Sequence, residues 1–343
     1  MFPGKVFIAF EDKVHKKTCR LRESYEHKRQ RKEKQQAEAE SKQAQEVKNE
    51  TKEKESKAQS ELKASAKRDD QVTTVVMFLA HNGVNNPDIW EAWKCQHTIG
   101  YIVHCNLRQT PGSFEEKYSV PADAVVPTQW GTPSLVLAHQ SLLKVALGKF
   151  PNAAIFYLVS GACLPLRDAS FMMGMSCITR LTKVDTNDAY DCLPSDWNSE
   201  DLVSHLQWHA LDRHHAKLVA DFNFGQLISL HEKSSRALIP DEYMIGSALR
   251  HTARVNNAPW NVESDSVLTF APRSNEHDSS PITWTTLYGK QRMSGDKGSI
   301  QICLADAVQM ALTSDDELNH LFIRKVAPID NLTAVLPWCK NMS

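Results

Sequence analysis

Unbroken apolar blocks alternate with helix-patterned segments along most of this chain. Val72-Thr73-Thr74-Val75-Val76-Met77-Phe78-Leu79-Ala80 is a β-branched, apolar run with no polar alternation, the pattern of a strand buried on both faces. Gly100-Tyr101-Ile102-Val103-His104 and Ala154-Ile155-Phe156-Tyr157-Leu158-Val159 repeat it. Between these blocks the period changes. Residues 87–96 read as a helix, and over 133–149 the apolar Leu135, Ala138, Leu142, Val145 and Ala146 recur at helical spacing. Residues 206–211 predict a further strand, followed by a helix over 214–222. Residues 240–251 and 304–312 predict two more helices. Strands alternating with helices point to an α/β domain with a mainly parallel sheet. No internal repeat is present.

Residues 11–70 depart from this pattern. They are almost entirely Lys, Arg, Glu, Gln, Ser and Ala, too poor in apolar surface to offset the entropy of ordering. The composition favours helix but lacks a sustained apolar heptad, so a charged helical or disordered segment is expected over 1–70 rather than a coiled coil. Its first half, residues 13–34, is basic and would give peripheral contact with an anionic membrane surface. The following part, about 270 residues, is long enough for one large domain, placed at 71–335.

The formal net charge is −1, so the molecule is not a polycation and nucleic acid is not an expected partner. The eight cysteines form no CxxC pair, which removes zinc ribbons and thioredoxin-like motifs. The opening Val6-Phe7-Ile8-Ala9-Phe10 is far shorter than the roughly 20 apolar residues needed to cross a bilayer, and no signal segment is read. Sequons at Asn49, Asn331 and Asn341 matter only for a secreted chain.

In open α/β sheets, ligands bind beyond the carboxyl ends of the strands. Those ends carry His81-Asn82-Gly83, Cys105-Asn106 and Ser160-Gly161-Ala162-Cys163, which are also ordinary turn chemistry. No Asp-x-Asp follows the third strand. His205, His209, His214 and His215 cluster in sequence. His205 and His209 fall on or near the 206–211 strand, where their i,i+4 spacing gives no helical chelating geometry, so metal is not expected. Asp241 and Glu242 fall at the start of the 240–251 helix behind Pro240. The helix dipole there would keep Glu242 ionised, as a general base requires. Arg324 and Lys325 lie in an otherwise apolar run, an unusual setting for a pair that would by default be surface cations.

Six segments occur in a recognisable order: Val76-Met77-Phe78-Leu79-Ala80-His81-Asn82-Gly83, Gln129-Trp130-Gly131-Thr132-Pro133-Ser134-Leu135, Leu158-Val159-Ser160-Gly161-Ala162-Cys163-Leu164-Pro165-Leu166, Gln207-Trp208-His209-Ala210-Leu211-Asp212-Arg213, Asp241-Glu242-Tyr243 and Leu321-Phe322-Ile323-Arg324-Lys325. Over most of residues 72–330 they resemble the core-2/I-branching β-N-acetylglucosaminyltransferase family, including its plant-type relatives.

The resemblance implies a GT-A-like fold with a Rossmann-like sheet, and an inverting, metal-independent transfer from a UDP-sugar to a glycan or glycoprotein acceptor. It implies N-acetylglucosamine as the donor sugar, with xylose the alternative, and no cofactor besides the donor substrate. It assigns the general base to Glu242, donor binding to His81, Asn82, Gly83, Arg324 and Lys325, and acceptor binding to Trp208 and Asp241. The animal enzymes have a second basic residue upstream of the Arg-Lys pair. Ile300-Gln301-Ile302-Cys303 aligns there, and Lys290, Arg292 or Lys297 would substitute. Relatives are Golgi membrane proteins, whereas this chain shows no anchor. Two readings of other classes are a catalytically inactive glycan- or nucleotide-binding module and an interaction protein working through the charged segment.

Overall fold

A computed structural model of the chain describes residues 69–94, 98–106, 110–169, 178–179, 182–184, 193–233, 239–260, 263–264, 269–270, 283–287, 290–294, 301–303, 321–324, 326, 336 and 338. The chain divides into two units, Met1–Lys67 and Arg68–Ser343. The expected charged segment, Lys325 and the 304–312 helix lie outside the described residues.

In chain order the elements that frame the site are β1 (Thr74–Ala80), α1 (Pro87–Lys94), β2 (Ile99–Cys105), α2 (Phe114–Tyr118), α3 (Ser134–Lys149), β3 (Ile155–Ser160) and β4 (Leu164–Pro165). They continue with β5 (Val203–Ser204), β6 (Ala210–Asp212), α4 (Arg213–Asp221), α5 (Gly225–Lys233), α6 (Met244–Val255) and β7 (Phe322–Ile323). The central sheet has the order β2-β1-β3-β6. β1 lies parallel to both β2 and β3, and β6 runs antiparallel to β3 at the edge. The protein is thus mixed α/β with a mostly parallel central sheet, an arrangement compatible with a Rossmann-like fold.

The apolar runs explain this architecture. Val75, Met77 and Leu79 pack into one core with Val136, Leu142, Leu143 and Ala146 of α3. Val76, Phe78 and Ala80 pack into the other with Trp90 and Trp93 of α1. Successive residues of β1 therefore feed opposite faces, as a pleated strand requires, and both faces are covered. On the α1 side Phe78 meets Trp90, Tyr101 and Phe114 edge-to-face, with centroids 4.8, 5.6 and 5.7 Å away, the geometry aromatic quadrupoles favour.

Side chains tie the helices reciprocally. Gln140 of α3 donates to the carbonyls of Val219, Ala220 and Phe222 at the end of α4 (3.1, 3.1 and 2.7 Å). Arg213 of α4 donates to the carbonyls of Phe150 and Ala153 after α3 (both 3.1 Å). Each satisfies backbone acceptors that a helix end leaves open. Asp212 caps α4 by accepting from His215 N at 2.9 Å.

Two expected elements differ. Only Ala210 and Leu211 of the 206–211 run lie in a strand, β6, which extends to Asp212. The expected 240–251 helix is a 3-10 turn, Pro240–Glu242, followed by α6, with Tyr243 between them at φ −146, ψ −32. Among the described residues no helix is long and apolar enough to cross a membrane.

Candidate functional site

The loops after β1 and β3 leave the sheet at its carboxyl edge and lock together. Asn85 N donates to Gly161 O at 2.7 Å. A Cβ on Gly161 would lie 2.3 Å from Gly83 O, so only glycine admits this approach. Gly83 has φ +112, a region that L side chains rarely enter. Glu115 of α2 fixes the same loop by accepting from Val84 N at 2.6 Å. His81 and Asn82 remain exposed beside it. From the other side Asn85 Nδ2 donates to Val326 O at 2.7 Å and Val326 N to Ala162 O at 2.8 Å. The segment carrying Arg324 is thus bound to both loops, because β7 pairs with β4 immediately after β3.

Beyond β3, Arg324 gathers the remaining expected residues. Its guanidinium carbon stands 4.6 Å from the ring centroid of Trp208, within cation–π range. Burial depresses the Arg324 pKa, while Cys163, Glu242 and Asp241 favour its charged form. Trp208 is itself buried, with its indole N–H unpartnered. Asp241 is buried, and its Oδ1 has no partner. Burial pushes its pKa up to about 6; the neighbouring Glu242 charge adds to this, and its own backbone hydrogen bond and Arg324 oppose it. The Cys163 thiol, raised by burial, lies 3.4 Å from Ser160 Oγ. The structure therefore brings Trp208, Asp241, Glu242 and Arg324 together. The loop of His81, Asn82 and Gly83 forms a neighbouring group joined to them through Asn85 and Val326.

Glu242 is placed by a distant histidine. In a continuous helix Gly246 N would donate to Glu242 O. Instead His205 N donates to Glu242 O at 2.7 Å, and His205 Nε2 accepts from Gly246 N at 3.1 Å. His205 is inserted into the first turn and satisfies both orphaned backbone groups. Its Nδ1 lies 2.9 Å from Leu206 O, so Nδ1 carries the proton and Nε2 accepts. A Cβ on Gly246 would meet His205 Cδ2 at 2.7 Å, so glycine makes room for the ring. Glu242 is thus the last residue of the 3-10 turn, ahead of α6, rather than part of its first turn.

Sequence reasoning read His205 and His209 as strand residues and did not pair either with His139. The rings of His139 and His209 meet edge-to-face at 5.1 Å, and those of His205 and His209 at 5.6 Å. All are buried, and burial holds each pKa low, to about 3 for His139 and about 4 for His205. They form a neutral packing cluster against the Pro240–Glu242 turn, which His205 touches through Glu242 O. Among the described residues no group of three or more His, Cys, Asp or Glu is arranged to hold a metal ion. Glu115 was also missed. Its only sequence signal is its place just after the cap residue Ser113.

No protein-family model matches the chain, and no curated protein matches it.

Proposed function

We propose that this protein is an inverting glycosyltransferase of GT-A-like fold, similar to the core-2/I-branching family, that moves a sugar from a UDP donor to a glycan hydroxyl. The observation that carries this reading is the convergence of Arg324, Trp208, Asp241 and Glu242 at the carboxyl edge of a mostly parallel sheet. That edge is where such sheets bind nucleotides.

In the proposed reaction the acceptor hydroxyl oxygen attacks the anomeric carbon and loses its proton to the Glu242 carboxylate. The bond from the anomeric carbon to the phosphate oxygen breaks on the opposite face, and UDP departs with the electron pair. Arg324, together with Lys325, meets the charge that grows on the diphosphate. The segment after the third strand, Ser160-Gly161-Ala162-Cys163, offers no carboxylate for a bridging cation, which supports metal-independent chemistry. Trp208 and Asp241 face the acceptor. N-acetylglucosamine is the proposed donor sugar and xylose the alternative. Peripheral attachment to an anionic Golgi membrane through residues 13–34 belongs to the same proposal.

Mass spectrometry after incubation with UDP-N-acetylglucosamine, UDP-xylose and other sugar nucleotides tests it. Release of UDP from one donor, unaffected by EDTA, is expected. No release from any donor would overturn the reading, and loss under EDTA with recovery on manganese would overturn its metal-independent form.

A further inference from the structure

Among the described residues Trp130 is the large aromatic side chain left in water, 82 % exposed, and the chemistry above makes no use of it. Its position is nonetheless firmly built. Gln129 to Thr132 form a turn closed by Thr132 N donating to Gln129 O at 3.3 Å, with Thr132 Oγ1 donating to the same carbonyl at 2.9 Å. Gln129 N donates to Ser134 Oγ at 2.9 Å. Gly131, third in the turn, has φ +73, the conformation a type II turn demands there.

The turn is anchored to the ligand-binding edge. Asn106, directly after β2, donates through Nδ2 to Thr128 O (3.0 Å) and Oγ1 (2.6 Å), and its Oδ1 accepts from Thr128 N (3.2 Å). The preceding residue, Cys105, donates from Sγ to His81 O at 3.4 Å. Two neighbouring residues at the end of β2 thus tie both segments to that strand: Asn106 holds Thr128, next to the Trp130 turn, and Cys105 holds His81. Arg324, Asp241 and Glu242 lie on the other side, past β3.

We propose that Trp130 is the stacking platform for the pyrimidine base of the donor nucleotide. The nucleotide then lies across the carboxyl edge, with its base at the β2 end, its diphosphate toward Arg324 and its anomeric carbon at Glu242. Three observations support this orientation. A solvent-facing indole on a hydrogen-bonded turn offers a flat apolar face that a base can cover, the device by which proteins hold nucleobases without reading their edges. The strands that the two groups flank, β2 and β3, are two strand spacings apart, roughly 10 Å, on the scale of an extended nucleoside diphosphate. The charged groups stand at the far end from the aromatic one, matching a ligand that is apolar and planar at one end and anionic further along. The inference rests on the UDP-sugar reading above.

Calorimetry of UDP binding by the full chain, as wild type, Trp130→Ala and Trp130→Phe, tests it. Trp130→Ala is expected to weaken UDP about 5- to 150-fold, the usual worth of one stacked base. Trp130→Phe should restore most of the loss, with unchanged melting temperature and unchanged KM for the acceptor. Wild-type affinity in Trp130→Ala would overturn the inference alone. So would a loss confined to acceptor KM, or one accompanied by a lower melting temperature that phenylalanine does not rescue. A wild type that binds no UDP would overturn the donor reading and this inference with it.

Discussion

The guanidinium of Arg324 lies over the indole of Trp208, 4.6 Å from its centroid, on the side of the sheet where Asp241 and Glu242 sit. The indole holds the cation by its ring face, and Arg324 Nε has no hydrogen-bond partner among the described residues. A ligand oxygen arriving there meets a donor whose orientation is already set.

Arg324→Ala should therefore lower kcat by roughly 10²–10³-fold, as loss of one preorganised donor to a developing anion does. Arg324→Lys keeps the charge but loses the planar stack, and should recover only part of the rate. Steady-state kinetics on the two variants checks this, and full rescue by lysine would show that charge alone matters.

The buried Asp241 carboxyl works against stability at neutral pH. Its folded pKa is about 6 against an ordinary 3.8, so between these values the folded state holds more protons than the unfolded one. Stability falls as pH rises through that window and stays low above it. Asp241→Asn should stabilise the protein at pH 8 by about 1–3 kcal/mol and remove this dependence. Urea melts at pH 5 and pH 8 read the difference.

The histidine cluster has the opposite sign. His205 and His139 stay neutral in the fold down to about 4 and about 3, while unfolded histidine takes a proton near 6.5. Stability should fall as pH drops from 6.5 through 4 and on toward 3. Protonated His205 can no longer accept from Gly246 N, so the turn holding Glu242 loosens once the pH reaches about 4. Denaturant midpoints against pH should show this slope, and His139→Leu should flatten it.

The first three strands were legible because both faces of the sheet are covered, which makes each strand a solid apolar run; their ends shift by one or two residues. The mostly parallel sheet followed from the same runs. The structure at Glu242 was not legible. Pro240 and the apolar spacing after it read as one helix, and the break depends on His205, which lies 41 residues from Gly246. Of the 206–211 run only Ala210 and Leu211 joined the sheet, and the stretch before them has the same distant partners. His205 turns inward to the helix, and His209 packs on His139. Trp208 and Arg324 were each visible as candidates, but their stacking joins distant segments of the chain and no local pattern encodes it.

Gly161→Ala tests the locked loops. The added methyl would lie 2.3 Å from Gly83 O, so the loop of His81 and Asn82 must move. We expect a stability loss of about 1–3 kcal/mol and weaker UDP binding. Calorimetry and melts on this variant would count against the donor-loop assignment if both stayed at wild-type values.

The most direct test of the proposed chemistry is the turnover of UDP-sugar by Glu242→Gln beside wild type, with UDP affinity measured on the same samples. The account predicts that turnover falls roughly 10²–10⁴-fold, the usual contribution of a general base, while UDP binds as before. Near-normal turnover in the variant, or no turnover of any UDP-sugar by the wild type, would contradict it.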